Sequence, residues 1–331
     1  MRNWSKERVV VTGAGGFIGS HLTERLLELG ADVTALIHYD ARQDRGNLEF
    51  VDPQLLERAE VVAGDICDPF FMQELCQGAT VVFHLAAIIP IPYSYRAPAS
   101  YVLSNVQGTL NVCEAVRRCG VSRLVHTSTS EAYGTAVRTP IDEDHPLQAQ
   151  SPYAASKIGA DKIVESYCRS FDLPAATIRP FNTFGPRQSA RAVIPTVMAQ
   201  LLSDAPEMRL GSLTPVRDFL FVEDTVEGFL AVASSDACLG KVTNVGTGVA
   251  VTIGDMTELA MQVAGRRIRI VTDDQRVRPD ASEVMQLICD ASAAKARCGW
   301  APRFTLREGL ERVAEFIKSN PGRFRPKEYV V

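Results

Sequence analysis

The chain has 331 residues, 46% of them hydrophobic and 22% charged, with a formal net charge of −4 and a pI of about 5.8. This acidic balance argues against a nucleic-acid surface or a polybasic membrane patch, and the length suffices for one large domain or two closely packed ones. The eight cysteines are scattered, and the five histidines lack the spacing of metal ligands, so we predict free thiols and no metal. The sequence shows no signal-peptide pattern, which predicts a cytoplasmic protein.

Short apolar runs rich in β-branched residues alternate along the chain with segments of helical periodicity. The runs predict strands at residues 8–12, 33–37, 60–63, 80–85, 123–127, 175–179 and 242–245, and the segments predict helices at 18–29, 70–76, 106–119 and 152–171. Near-continuous apolar strands separated by helices are typical of a parallel sheet covered on both faces. We therefore predict a doubly wound, Rossmann-type α/β fold.

The rhythm changes after about residue 180, where prolines and glycines separate shorter elements. We predict a dinucleotide-binding Rossmann domain formed by residues 1–180 together with about 218–248. A smaller, irregular α/β lobe, formed by about 181–217 and 249–331, is expected to supply a substrate site.

The first strand runs into a glycine-rich turn with the spacing G-x-x-G-x-x-G, formed by Gly13, Gly16 and Gly19. Glycine permits a tight turn and lets the backbone approach a pyrophosphate, and the helix that starts at Ile18, directly after Phe17, offers free N–H groups. A turn of this kind, placed after the first strand of an α/β chain and opening a helix, predicts a dinucleotide site.

The end of the second strand bears on the choice between NAD and NADP. An acidic residue there usually binds the adenosine ribose and repels a 2′-phosphate. Asp40 fits NAD in this way, whereas His38 and Arg42 tolerate the phosphate of NADP. The residues alone leave both dinucleotides open.

Two residues of the helix predicted at 152–171 suggest oxidation of a hydroxyl group. Tyr153 and Lys157 are four residues apart, so both lie on one face of the helix. A neighbouring ammonium stabilises a phenolate and lowers the tyrosine pKa from its usual value near 10. Tyr153 can then take a hydroxyl proton while hydride leaves the same carbon.

These motifs resemble the extended short-chain dehydrogenases/reductases, the branch that contains nucleotide-sugar epimerases and dehydratases, over nearly the whole chain. The resemblance favours a tightly bound NAD that stays oxidised between turnovers. It implies that Asp65 and Ile66, after the third strand, lie at the adenine. It also implies that the backbone of Leu85, Ala86 and Ala87, after the fourth strand, passes the cofactor.

The segment after the fifth strand narrows the resemblance. Thr129 best matches the family hydroxyl beside the substrate, with Ser128 second, and Thr129-Ser130-Glu131 resembles the Thr-x-Glu arrangement of 4,6-dehydratases. In such an enzyme Glu131 is the base at C5. The dTDP-glucose branch has an aspartate acid where this chain has Ser130, so the acid for water loss is Ser130 or Glu131.

The second half of the chain extends the resemblance to LegB-type N-acetylglucosamine-nucleotide 4,6-dehydratases. It implies a UDP- or GDP-linked N-acetylglucosamine substrate held through its diphosphate, because arginine forks suit phosphate oxygens. The substrate-binding residues implied are Tyr93, Asn182, Arg187, Arg217, Arg278 and Asp280.

Two alternatives remain at the level of the sequence: a nucleotide-sugar 4-epimerase acting on a UDP-hexuronate or UDP-hexose, and a non-catalytic dinucleotide-sensing protein. The family also implies a homodimer in which residues 106–119 and 152–171 pair into a four-helix bundle. The apolar residues Leu110, Val112, Ala115 and Val116 fit either that surface or the internal core.

Overall fold

The computed structural model describes residues 2–277 and 279–324. Within these ranges the strands are β1 (Arg8–Thr12), β2 (Asp32–His38), β3 (Glu60–Gly64), β4 (Val81–His84), β5 (Arg123–Thr127), β6 (Ala175–Pro180), β7 (Asn182–Phe184), β8 (Glu207–Leu210), β9 (Val216–Arg217), β10 (Phe219–Phe221), β11 (Val242–Val245), β12 (Val251–Thr252) and β13 (Arg269–Thr272).

The α-helices are α1 (Phe17–Glu28), α2 (Pro53–Leu56), α3 (Pro69–Leu75), α4 (Ile91–Ser94), α5 (Pro98–Tyr101), α6 (Gly108–Cys119), α7 (Pro152–Phe171), α8 (Val193–Leu201), α9 (Val222–Ser234), α10 (Ile253–Ala264), α11 (Ser292–Cys298) and α12 (Leu306–Ser319). A π-helical segment, Val102–Gln107, joins α5 to α6. In the described ranges no helix is long and apolar enough to cross a membrane.

Seven parallel strands form the central sheet in the order β11-β6-β5-β4-β1-β2-β3. Successive side chains of a strand point to opposite faces, and both faces of this sheet are covered. In β1, Val9 and Val11 pack into one apolar core, whereas Val10 packs into the core on the other face. The predicted Rossmann-type fold is confirmed, and two-sided burial explains the continuous apolar strands.

The strand order reverses at β1, which lies between β2 and β4. In an open parallel sheet, a crevice for ligands forms at such a switch point, outside the carboxyl ends of the strands. The loops that follow β1, β2, β3, β4, β5 and β6 all reach this edge, which places the residues of the predicted site together.

The second half of the chain builds a separate apolar core. Three two-stranded ladders, β7–β10, β9–β12 and β8–β13, lie beside α8, α10 and α12. Met198, Met256 and Leu310 are fully buried between these elements. β11, in contrast, belongs to the central sheet. The exact division into two lobes remains the prediction made from the sequence.

Helix α6 turns most of its apolar residues toward the core of its own chain. Val112, Ala115 and Val116 are at most 2% exposed there, and Leu110 is only partly buried. Of the four residues suggested for a dimer surface, only Leu110 is therefore partly exposed. The exposed apolar residues of this region precede the helix, at Val102 and Leu103.

Candidate active site

A cavity of about 870 Å³ occupies the crevice at the carboxyl edge of the sheet. Nearly all of the residues predicted to bind the dinucleotide line it: Gly13, Gly16, Phe17, Ile18, Gly19, Asp40, Asp65, Ile66, Leu85, Ala86, Ala87 and Tyr153. Arg42 does not line the cavity, but its guanidinium bonds to Asp40, which does. Lys157 lies one helical turn after Tyr153, which also lines it.

The glycine turn fits a dinucleotide phosphate. Gly13 has a φ of +73°, and a Cβ there would lie 2.8 Å from the backbone nitrogen of Ala86 in the loop after β4. A Cβ on Gly19 would lie 2.1 Å from the Gly13 carbonyl oxygen. Helix α1 starts after Gly16 without a side-chain cap, so its first N–H groups remain available to an anion.

Substitution of Gly19 by alanine tests this turn. The added Cβ must displace the Gly13 backbone, and overpacking of this kind costs about 1–3 kcal/mol. We expect the affinity for dinucleotide, measured by calorimetric titration, to fall by about 10–100-fold, since 1.4 kcal/mol corresponds to a factor of ten. Gly322→Ala is the matched control, because a Cβ there meets nothing within 4 Å. Unchanged binding by Gly19→Ala would argue against a phosphate site at the turn.

After β2, the cavity lining carries an ion pair between Asp40 and Arg42. The Asp40 carboxylate accepts hydrogen bonds from the Arg42 backbone nitrogen at 2.9 Å and from its guanidinium at 3.3 Å. These bonds lower the pKa of Asp40. A carboxylate held in its charged form suits ribose hydroxyls and disfavours a 2′-phosphate.

The start of α7 positions Tyr153 and Lys157. The Ser151 hydroxyl accepts a hydrogen bond from the Ala154 nitrogen at 3.1 Å, and Pro152 occupies the first helical turn. Tyr153 and Lys157 then follow one turn apart, 8% and 4% exposed. The two side chains predicted as a catalytic pair are thus both buried at the sheet edge.

Burial shifts both pKa values in the direction that favours neutral groups. It raises the pKa of Tyr153, and a hydrogen bond with Thr129 opposes this rise. It lowers the pKa of Lys157 to about 8, and the charge of Asp161 opposes this fall. Tyr153 therefore needs neighbouring positive charge to act as a base near neutral pH.

The hydroxyl groups after β5 face in different directions. Ser128 also lines the cavity, but its hydroxyl is already engaged, because it donates to Asp161 Oδ2 at 2.6 Å and accepts from Arg179 Nε at 3.0 Å. Thr129 bonds to Tyr153 and lines the cavity, together with Ser130 and Glu131. This geometry favours Thr129 over Ser128 as the hydroxyl beside a substrate.

A second cavity of about 520 Å³ opens next to the first. Glu131, Asn182, Thr183 and Gln188 line both cavities and so form the junction between them. The Asn182 Oδ1 and Gln188 Oε1 atoms are buried, and neither has a hydrogen-bond partner within the described part of the chain. Such atoms need a partner, which a ligand hydroxyl or amide at the junction can supply.

Arginines dominate the charge of the second cavity. Among the described residues its charged lining consists of Arg96, Arg191, Arg217, Arg276, Glu131 and Glu283. Arg217 donates to Glu283 at 3.1 Å. An excess of guanidinium groups over carboxylates suits an anionic ligand such as a diphosphate.

The structure brings only some of the predicted substrate residues to this cavity. Asn182 and Arg217 line it, but Arg187 does not, because its guanidinium bonds to Glu24 at 2.7 Å and to the Phe50 carbonyl at 3.1 Å. Tyr93 does not line this cavity either. Its ring lies 6.2 Å from that of Tyr101. Arg278 and the side chain of Asp280 lie outside the described residues.

Sequence reasoning missed several residues of the site. Arg96, Arg191 and Gln188 line the second cavity, and Tyr101 places its ring 6.3 Å from that of Tyr153. Arg191 lies four residues after Arg187 in the same loop, and it is Arg191 whose side chain lines the cavity. In the described ranges no group of three or more His, Cys, Asp or Glu side chains can hold a metal.

A dinucleotide-type crevice with a Tyr-x-x-x-Lys pair at its edge defines a short-chain dehydrogenase/reductase. Comparison with known proteins gives the family: the chain belongs to the GDP-mannose 4,6 dehydratase family, whose model matches residues 10–313.

Relatives in this family include both dehydratases and epimerases. A UDP-glucose 4-epimerase from Mycolicibacterium smegmatis is 33% identical, covering 94% of this chain and 99% of its own. A dTDP-glucose 4,6-dehydratase from Streptomyces venezuelae, solved with NAD and TYD bound, has a TM-score of 0.86 at 30% identity, covering 96% and 99%. A UDP-glucuronic acid 4-epimerase from Bacillus cereus, solved with UDP-glucuronic acid and NAD, has a TM-score of 0.86 at 28% identity, covering 94% and 99%.

Proposed function

We propose that this protein is an NAD-dependent nucleotide-sugar 4,6-dehydratase that converts its substrate to a 4-keto-6-deoxy sugar nucleotide. The observation that carries the proposal is the position of Glu131, a carboxylate at the junction of the two cavities in the same lining as Tyr153. A base beside the sugar is needed when a carbon-bound proton must move as well as a hydride.

Each reacting residue has a separate task. NAD, held at the glycine turn and Asp40, would supply the acceptor for the C4 hydride and the donor for the hydride at C6. Tyr153 removes the C4 hydroxyl proton, with Thr129 hydrogen-bonded to it and Lys157 supplying positive charge. Once C4 is a ketone the C5 proton is acidic, and Glu131 removes it. The C6 hydroxyl then leaves as water, with Ser130 or Glu131 as the acid, and C5 regains a proton when the hydride is added at C6.

The second cavity is the proposed site of the nucleotide part of the substrate. Its excess of arginines supports binding of a diphosphate, with Arg217 and Asn182 as contacts. An N-acetylglucosamine nucleotide, linked to UDP or GDP, is the proposed substrate, in keeping with the resemblance described for the sequence. Arg278 and Asp280 keep the substrate roles predicted for them.

A 4-epimerase is the second candidate, favoured by the 33% identical UDP-glucose 4-epimerase. In epimerisation the hydride leaves and returns at C4, and no proton moves at C5. Tyr153 and Lys157 serve both reactions equally well. Glu131 is the residue that separates them, since only the dehydratase uses it as a base.

Incubation of the purified protein with a panel of UDP-, GDP- and dTDP-linked sugars tests the proposal. Mass spectrometry should show a product lighter by one water, without net consumption of added NADH. An isobaric product would replace the dehydratase by the epimerase. Absence of any product across the panel would favour a dinucleotide-sensing protein, for which Tyr153, Lys157 and Glu131 have no purpose.

We also propose a homodimer built on the faces of α6 and α7 that the chain leaves exposed. The exposed Val102, in the π-helical segment that joins α5 to α6, supports this surface. Light scattering at micromolar concentration should give a mass near 72 kDa, twice the chain mass of 36.1 kDa. A mass near that of one chain would exclude the dimer.

A further inference from the structure

A buried group of polar side chains, which includes Lys157, lies next to Tyr153. We call it the Asp161 cluster; its members are His126, Ser128, Lys157, Asp161 and Arg179, each at most 6% exposed. Lys157 and Asp161 are one turn apart on α7, His126 and Ser128 lie at the end of β5, and Arg179 lies near the end of β6.

The Asp161 carboxylate is the hydrogen-bond acceptor that joins these elements. Its Oδ2 accepts from Ser128 Oγ at 2.6 Å and from Arg179 Nη2 at 2.6 Å. Its Oδ1 accepts from His126 Nε2 at 3.1 Å. Two strands and one helix are thereby fixed to a single side chain one turn from Lys157.

The cluster carries two cations and one anion. Burial lowers the pKa of His126 and of the neighbouring His84, so both imidazoles are neutral at physiological pH. Within the described residues Asp161 is the only carboxylate of the cluster, where it faces the charges of Lys157 and Arg179. Without it, two buried cations would lie close together with no counter-charge, which is costly in a low-dielectric interior.

We propose that Asp161 is a positioning residue for catalysis, whose carboxylate holds β5, β6 and α7 together next to Tyr153 and is the counter-charge of the buried Lys157 and Arg179. The inference rests on the proposed function only for the roles of Tyr153 and Lys157. It applies equally to a dehydratase and to an epimerase, because both begin with oxidation at C4.

The charges around Tyr153 and Lys157 determine in which direction the pH profile moves when the charge of Asp161 is removed. Besides Asp161, the titratable and charged groups that face this pair are His84 of β4, His126 of β5, Arg179 of β6, Tyr101 of α5 and Glu131 of the turn after β5.

The negative charge of Asp161 raises the pKa of Lys157 and also that of Tyr153. Neutralising it therefore lowers both. Because turnover needs Tyr153 without its proton and Lys157 with its proton, both limbs of the pH profile move to lower pH.

Asp161→Asn, which keeps size and removes charge, is the first test. With any sugar nucleotide that the wild type oxidises, we expect both limbs of the kcat profile to move down by about 1–3 pH units, the range for a neighbouring charge at a buried group. The matched control is Glu165→Gln, one turn further along α7, whose carboxylate pairs with Lys162 and Arg169 at the surface. A lower rate at every pH with unmoved limbs would show a merely structural role.

A second measurement needs no substrate, so it stands even if the dehydratase proposal fails. The chain has seven lysines, few enough to follow each Cε by ¹³C NMR, with Lys157→Arg for assignment. In the wild type Lys157 should titrate near pH 8, and in Asp161→Asn clearly lower.

If Asp161→Asn does not fold, Arg179→Gln tests whether the charges of the cluster control the titration of Lys157. Arg179 lowers the pKa of Lys157, so its removal should move the lysine titration to higher pH, opposite to the effect of Asp161→Asn. Asp161→Glu, which restores the charge, should return the titration toward the wild-type value. Identical titrations in the wild type and the charge-removing variants would overturn the proposal.

Discussion

Tyr153→Phe should abolish sugar oxidation, with kcat lower by about 10²–10⁴-fold or more, as is typical when a general base is lost. Phenylalanine fills the same buried space, so the dinucleotide cavity stays intact, but no atom remains to take the C4 hydroxyl proton. Every later step depends on the C4 ketone. Neither product nor reduced nicotinamide should therefore appear when substrate is mixed with the variant and absorbance is followed at the nicotinamide band.

Tyr167→Phe on the same helix is the matched control. Its hydroxyl bonds to Glu114 at 3.3 Å, away from both cavities, and we expect wild-type turnover. Retained dinucleotide in Tyr153→Phe would show that the variant is folded. Oxidation by that folded variant at a rate within tenfold of wild type would require another base, with Thr129 and Glu131 the nearest groups.

Glu131→Gln should separate oxidation from water loss. Glutamine keeps the size and much of the hydrogen bonding of glutamate but cannot remove the C5 proton. Water loss should slow by about 10²–10⁴-fold, while C4 oxidation by Tyr153 continues. Reduced nicotinamide should then accumulate on the enzyme, and exchange of the C5 proton with deuterated solvent, followed by NMR, should become slow.

Glu57→Gln, an exposed carboxylate after α2, serves as the charge control and should behave as wild type. If Glu131→Gln forms a product lighter by one water at nearly the wild-type rate, the carboxylate is structural and is not the base at C5. If wild type and variant form only an isobaric product at similar rates, the 4-epimerase is the better assignment. The outcome thus decides between the two activities found among the relatives, independently of which nucleotide the substrate carries.

Local pattern accounts for much of the site. The glycine turn, Tyr153 and Lys157 were identified because their spacing fixes their geometry within one turn or one helix. Glu131 was found from its neighbours in the chain. The Asp161 cluster was missed, although Asp161 follows Lys157 by four residues and Arg179 is a charge in a buried strand. The cluster forms only where β5, β6 and α7 meet, and no short stretch of the sequence contains all three elements.

By itself, the sequence determined the alternation of strands and helices, the parallel sheet and the dinucleotide turn, since periodicity and glycine sterics act over a few residues. Tertiary structure alone decided which side chains of α6 face the core, as Val112, Ala115 and Val116 do. It also directed Arg187 to Glu24, 163 positions away, and placed Glu131 and Asn182 at one junction. Packing, charge pairing and burial join distant segments, and they are set only when the whole chain has folded.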